Sequence, residues 1–350
     1  MNWVAGLSQH SWEPVMTVDT TTSSYWLNWK VLLCSIWVIL SMIAASILIW
    51  KYEGPRCNKH RRGEDQGETS CSLYEEESWR PCLKDIHPAW LLAYRVFAFI
   101  VMLVLLIVNV IVEGGGIFYY YTQWTFTLVT VYFAFGSCLS TYGCYQFLNK
   151  VGGERDEETR FDAERGYYVA PRHGENAVSL NARKDLQQQE RQSSCHAAGI
   201  WGYVFQIIYQ TSAGAVMLTD VVFWLIIFPF LTTRAHNLTF LLVGMHSVNA
   251  VFLLGDAALN CLRFPWFRFS YFVLWTAIYV IFQWVIHACV SLWWSYPFLD
   301  LASLHAPVWY LSVALLHIPC YAIFALFIKM KHYLLSKWFP HSHQCLNRAT

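Results

Sequence analysis

Seven stretches of this chain are apolar for long enough to cross a bilayer, and no other feature limits its folding choices so tightly. A hydrocarbon core about 30 Å thick needs roughly 20 apolar residues at 1.5 Å of rise each. Residues 26–50, 89–112, 122–148, 200–232, 237–262, 271–296 and 306–330 reach that length. In lipid the backbone must satisfy its own polar groups, so runs of this length read as helices. The expected fold is all-α: a polytopic membrane bundle of about seven transmembrane helices. The fourth run is too long for one crossing. Gln206 and Gln210 in its first turns mark an interfacial approach, and Pro229 sits near its far end, where a kink costs least.

Composition agrees. Charged residues are 13% of the chain, against about a quarter in soluble domains. The 18 Trp and 20 Tyr are the side chains that collect at membrane interfaces. A net charge of +1 with no basic face argues against nucleic acid as a partner. Cys34, Cys138, Cys144, Cys261, Cys289 and Cys320 fall in or beside apolar runs, where a free thiol behaves as a small hydrophobe. Cys57, Cys71 and Cys82 share a polar loop with His60 and His87 but form no tight C-x-x-C pair, so no metal site is expected.

Residues 1–25 are polar and lack a basic n-region, so no cleaved signal peptide is expected and the helix at 26–50 serves as a signal anchor. Two polar segments, 51–88 and 149–199, interrupt the spans. The second is charged, rich in glutamine and poor in apolar residues, and is expected to be disordered. Lys and Arg divide sharply between alternate loops. Residues 51–88, 149–199, 263–270 and the C-terminal end hold 7, 8, 2 and 4 of them, whereas the opposite side holds only Arg234. By the positive-inside rule the N-terminus is outer or lumenal, and both polar segments and the tail at 332–350 are cytosolic. The asymmetry leaves open whether the membrane is endoplasmic reticulum or plasma membrane.

Polar groups at bilayer depth are costly and face a bundle interior or a wet cavity. Here they form stripes. His246, Asn249, Asp256 and Asn260 follow one face of the fifth run. Gln283, His287 and Ser291 step by four along the sixth, and Gln206, Gln210 and Asp220 share a side of the fourth. Thr122 and Thr125 open the third run. His246 lies about 13 Å below the outer end at 1.5 Å per residue, with His287 at a similar depth and Asp220 and His317 slightly deeper. Hydroxyl, imidazole and carboxylate groups therefore converge on the outer half of the bundle. Each also has a plainer reading. A Thr at a helix start often caps free N–H groups, and a buried His or Asn can be interhelical glue, worth about 0.6 kcal/mol on average. Asp256 and Asn260, toward the cytosolic end, read as packing groups. Asn237-Leu238-Thr239 fits a glycosylation sequon but abuts a span, so it is expected to stay unmodified. No G-x-S-x-G, H-E-x-x-H or G-x-x-x-x-G-K-[ST] occurs, which removes support for soluble-type hydrolases, zinc proteases and nucleotide-driven pumps.

Three segments carry a resemblance. Gly244-Met245-His246-Ser247, Tyr119-Tyr120-Tyr121-Thr122 and Tyr296-Pro297-Phe298-Leu299-Asp300 resemble, in the same order, segments of the androgen-induced-gene and androgen-dependent membrane hydrolases. Tyr121-Thr122-Gln123-Trp124-Thr125-Phe126 resembles more closely still the related Rolling stone group and its plant members. The likeness runs from about residue 89 to 331, a six-helix core to which the helix at 26–50 and the loop at 149–199 are extra. It implies an intramembrane threonine hydrolase of lipid esters, in particular fatty acid esters of hydroxy fatty acids, with Thr122 as nucleophile and His246 as base. Thr125, one helical turn on, competes for the nucleophile position. Asp220, Asn249 or His287 could orient the imidazole. No oxyanion hole is evident in the sequence. The chemistry calls for no cofactor and no metal, and for membrane lipids as surroundings and source of substrate. The Rolling stone likeness also implies a rival of another class: a non-enzymatic cell-surface, fusion or signalling protein. No D-R-Y-type or N-P-x-x-Y-type segment favours a receptor, and no internal repeat favours a transporter.

Overall fold

The computed structural model describes residues 19–54, 75–164, 199–231 and 240–343. Among these residues seven helical segments are long and apolar enough to span a membrane, and there is no β-strand. The expected all-α polytopic bundle is the architecture observed. Its helices are α1 (Trp29–Glu53), α2 (Pro88–Glu113), α3 (Tyr121–Glu164) and α4 (Ile200–Val222), the last running on into a π-helical stretch, Phe223–Leu231. The fifth crossing comes in two pieces, α5 (Phe240–Met245) and α6 (Val248–Leu259). Helices α7 (Phe269–Cys289) and α8 (Ala306–Trp338) complete the bundle.

Local chemistry sets the ends. Asn28 caps α1 by accepting the Lys30 N–H at 3.2 Å. Helix α2 starts on Pro88, whose missing N–H costs nothing there, with the His87 ring accepting the Ala89 N–H. It ends at Gly114, whose φ of 78° is strained for any residue with a Cβ.

Three boundaries differ from the sequence expectation. Helix α3 runs on to Glu164, so the polar segment from 149 begins as helix; its remainder at 165–198 lies outside the described residues, as does the sequon at 237–239. Helix α8 continues to Trp338, into the expected tail. Helix α7 stops at Cys289 instead of 296, because Val290 turns to extended backbone and the aromatic run after it folds back over the bundle. Ser291 therefore leaves the stripe of Gln283 and His287, and His287 lies near the helix end.

Helix α4 is the hub, packed against α3, α6, α7 and α8. The small residues Ser212, Ala213, Gly214 and Ala215 are buried along it and let neighbouring backbones approach closely. A Cβ on Gly214 would lie 2.4 Å from the Phe272 ring of α7. Gly214→Ala is accordingly expected to cost about 1–3 kcal/mol by overpacking, read as a lower thermal unfolding midpoint in detergent. Helix α1 packs on α7 and α8 through buried Val31, Cys34 and Ala45, with Ile39, Leu40, Ile43 and Ile47 exposed toward the position of lipid.

One end of the bundle holds a buried ionic network. Arg95 Nε meets Asp256 Oδ1 at 2.7 Å, both side chains fully enclosed. Its Nη1 donates to the Ser78 carbonyl and the Ser140 hydroxyl, each at 2.7 Å. Tyr132 and Asn260 both donate to Asp256 Oδ2. Asp256 and Asn260 are thus packing groups, as their depth implied. Cys34, Cys138, Cys144, Cys289 and Cys320 are free thiols, whereas Cys261, expected to be free as well, is disulfide-bonded.

Candidate functional site

The fifth crossing breaks at His246. Residues 246 and 247 leave the helical path between α5 and α6, and Ser247 has φ −140°. A break at this depth frees carbonyl groups that lipid cannot satisfy, so it persists only where protein or a cavity takes them up. Trp224 supplies the partner: its indole Nε1 donates to the His246 carbonyl at 3.1 Å. Trp224 belongs to the π-helical stretch, whose widened turn also sets Phe223 flat on the imidazole, with centroids 3.6 Å apart and planes 4° apart. Two helix irregularities thus brace one histidine, and π-helical turns frequently mark functional sites. The ring is buried and its Nδ1 has no hydrogen-bond partner.

Thr122 is fixed from a different side. The Tyr119 carbonyl, just before α3, accepts from the Tyr279 hydroxyl at 2.7 Å and from Gln283 Nε2 at 2.6 Å. Helix α7 thereby pins the start of α3. Thr122 is the second residue of that helix, and its hydroxyl faces the Tyr296 hydroxyl at 3.5 Å. Tyr296 arrives on the 290–305 loop, held edge-on to Tyr120 and stacked on Phe298. Its hydroxyl lies against the backbone amides of Tyr121 and Thr122, and burial raises its pKa above the ordinary tyrosine value.

Thr122, His246, Tyr296, Phe223 and Thr219 line one cavity of about 60 Å³. That is room for about two waters at ~30 Å³ each. The hydroxyl and the imidazole, on separate crossings, therefore open onto a shared apolar space, though the Thr122 hydroxyl bonds Tyr296 and not the ring. Thr125 is fully buried one turn along α3 and is not on this wall.

None of the suggested orienting groups holds the imidazole. Asp220 is off the wall, with Oδ1 buried and unpaired. Asn249 Oδ1 accepts the Ala250 N–H at 2.8 Å. His287 is committed elsewhere: Nδ1 lies 2.7 Å from the Gln283 carbonyl, and the ring stacks on Trp294 at 3.8 Å. It anchors the loop that carries Tyr296. Packing against Phe223, not a hydrogen bond, sets the orientation of His246.

A third histidine sits in a hydrogen-bond chain. His317 Nδ1 lies 2.7 Å from the Val313 carbonyl, which can only accept, so that nitrogen carries the proton. Its Nε2 lies 2.9 Å from the Thr276 hydroxyl, which is also 2.8 Å from the Tyr121 hydroxyl and 3.3 Å from the Phe272 carbonyl. Thr276 is also on the wall of the small cavity.

In the sequence Tyr121 and Tyr296 stand out only as members of motifs, and Phe223 and Thr276 carry no signal of their own. Only the aromatic density of residues 290–298 hinted that this loop folds inward.

These features define a multi-pass membrane helix bundle with a cavity lined by hydroxyl groups and an imidazole. No protein-family model, curated protein or solved structure matches the chain.

Proposed function

We propose that the protein hydrolyses lipid esters within the membrane, in the manner implied by its resemblance to the androgen-induced-gene hydrolases and the Rolling stone group. The observation that carries this reading is the shared cavity of Thr122 and His246. The neutral imidazole accepts the Thr122 proton as Oγ1 attacks the ester carbonyl carbon. The C–O bond to the alcohol then breaks, and the imidazolium returns the proton to the leaving oxygen. Water, deprotonated by the same ring, cleaves the acyl-threonine and regenerates the hydroxyl. A fatty acid ester of a hydroxy fatty acid suits this sequence, because both products are themselves amphiphiles that can leave into lipid.

Tyr296 fills the position of an oxyanion donor. Its raised pKa keeps the hydroxyl protonated, and the partial positive charge at the start of α3 favours negative charge at the same spot. Tyr296→Phe is expected to lower turnover by about 10²-fold, the usual loss for one such donor. Steady-state kinetics on a detergent-soluble ester would measure it; an unchanged kcat removes Tyr296 from the reaction.

A fluorophosphonate probe gives the direct test. Expected is a covalent adduct on Thr122, absent in Thr122→Ala. Failure to label the folded protein, together with no turnover across a panel of lipid esters, would sink the hydrolase. The rival is a non-enzymatic cell-surface, fusion or signalling protein of the Rolling stone type. It is favoured by the Thr122 hydroxyl bonding Tyr296 instead of the imidazole, although catalytic contacts are often loose before substrate binds.

The basic-residue asymmetry supports an outer or lumenal N-terminus and a cytosolic C-terminus, in the endoplasmic reticulum or plasma membrane. Selective permeabilisation tests the orientation: a membrane-impermeant amine reagent should modify lysines of the 51–88 loop only after digitonin opens the plasma membrane, and modification in intact cells, or protection after digitonin, would reverse the orientation.

A further inference from the structure

A second hollow, of about 220 Å³, lies between α1, α7 and α8. It exists because small residues face one another there: Ser41, Ala44 and Ala45 on α1, Ala277 on α7 and Ala314 on α8. Along α1 it reaches from Trp37 to Leu48, about 16 Å at 1.5 Å per residue. An elongated shape of that kind suits a chain, not a compact solute.

The hydroxyls and the imidazole on its wall are already occupied. Ser41 donates to the Trp37 carbonyl and Ser270 to the Phe267 carbonyl, each at 2.8 Å. Thr276 and His317 bond each other, and Tyr310 donates to the Leu299 carbonyl at 3.0 Å. A buried water needs two to four polar partners, and a cavity without them stays dry and accepts apolar guests. Thr276, Val280, Phe298, Leu299 and Val313 belong to this wall and also to the wall of the Thr122 cavity. The small cavity has room for an ester group but none for its chains, and the space next to it is long and apolar.

We propose that the hollow between α1, α7 and α8 is a lipid acyl-chain chamber whose occupant places its polar end at the Thr122–His246 cavity. The assignment to a substrate chain rests on the ester-hydrolysis reading. It gives α1 a role in chain selection.

The test uses the full-length protein in lipid nanodiscs. Its turnover of esters graded from butanoyl to octadecanoyl is compared with that of Ala45→Phe and Ala314→Phe, which fill the hollow from opposite walls. A diazirine-bearing octadecanoic acid is photo-crosslinked to each protein and to Thr122→Ala, and the adducts are mapped by mass spectrometry. Expected is a fall of about tenfold or more in the ratio of octadecanoyl to butanoyl turnover in each filled variant, the scale on which an apolar pocket discriminates. Adducts should fall on α1, α7 or α8 residues of the hollow in wild type and in Thr122→Ala, and be lost in both filled variants. An unchanged turnover ratio, or adducts that persist after filling, overturns the chamber. Adducts lost on filling, in a protein that hydrolyses no ester, keep the chamber and reject the hydrolase instead. Because the two variants act from different helices, misfolding of one leaves the other to decide.

Discussion

His246→Ala is expected to cut ester turnover by about 10²–10⁴-fold, the contribution typical of a general base, while the protein stays folded. The separation of function from folding follows from how the residue is held. Its imidazole is braced by the face of Phe223, and the hydrogen bond that stabilises the helix break, from Trp224, goes to the His246 carbonyl, which alanine retains. Removing the ring leaves a small void beside the cavity and no orphaned polar atom. Thr122→Ala should be as damaging, since it removes the attacking oxygen, and the Thr219 hydroxyl on the same cavity already donates to the Ala215 and Val216 carbonyls. Thr125→Ala should stay within a few-fold of wild type, because that side chain is buried away from the cavity. Parallel assays of the four proteins, with a melting curve for each, measure this directly. Equal turnover in all four would leave the cavity without a catalytic role, and a collapse confined to Thr125→Ala would shift the nucleophile by one helical turn.

The crossings were legible because run length and apolar character decide a transmembrane helix locally, residue by residue. The Asn249–Asp256 part of the expected stripe was legible for the same reason, since helical periodicity needs no partner, but His246 leaves it at the helix break. What could not be read is whatever depends on a neighbour. The break at His246–Ser247 survives because Trp224, on a different crossing, takes up the freed carbonyl. The π-helical turn is matched by the Phe223–His246 stack it permits. Neither half of that pair signals the other in the sequence. The early end of α7 follows from the loop beyond it, where Trp294 stacks on His287 and Tyr296 reaches Thr122. An apolar aromatic run like 290–296 satisfies a hydropathy window equally well as helix or as a loop folded over the bundle. The resemblance segments placed Thr122 and His246 on two helices, but Tyr296 gained a chemical part only when the fold brought it to the start of α3.

Asp256→Ala is expected to destabilise the bundle by about 3–5 kcal/mol, the usual cost of stripping one partner from a buried ion pair. Arg95 would be left fully enclosed, with Ser78, Gly136 and Ser140 as neutral acceptors and no counter-charge. Tyr132 and Asn260 would lose their common acceptor in the same step. Since the carboxylate joins α6 to α2 and α3 through these contacts, the loss is felt across three helices. The double change Arg95→Met with Asp256→Leu should cost less than Asp256→Ala alone, because an apolar pair carries no stranded charge. A double-mutant cycle read by thermal unfolding in detergent measures the coupling, expected at about 0.5–3 kcal/mol for side chains in one network. Strict additivity would mean that water reaches Arg95 and that this end of the bundle is not closed. The site at Thr122 bears on the same point. If the network only holds helices together, the surviving folded fraction of Asp256→Ala should label with a fluorophosphonate as wild type does, and stability and chemistry will separate along the length of α6.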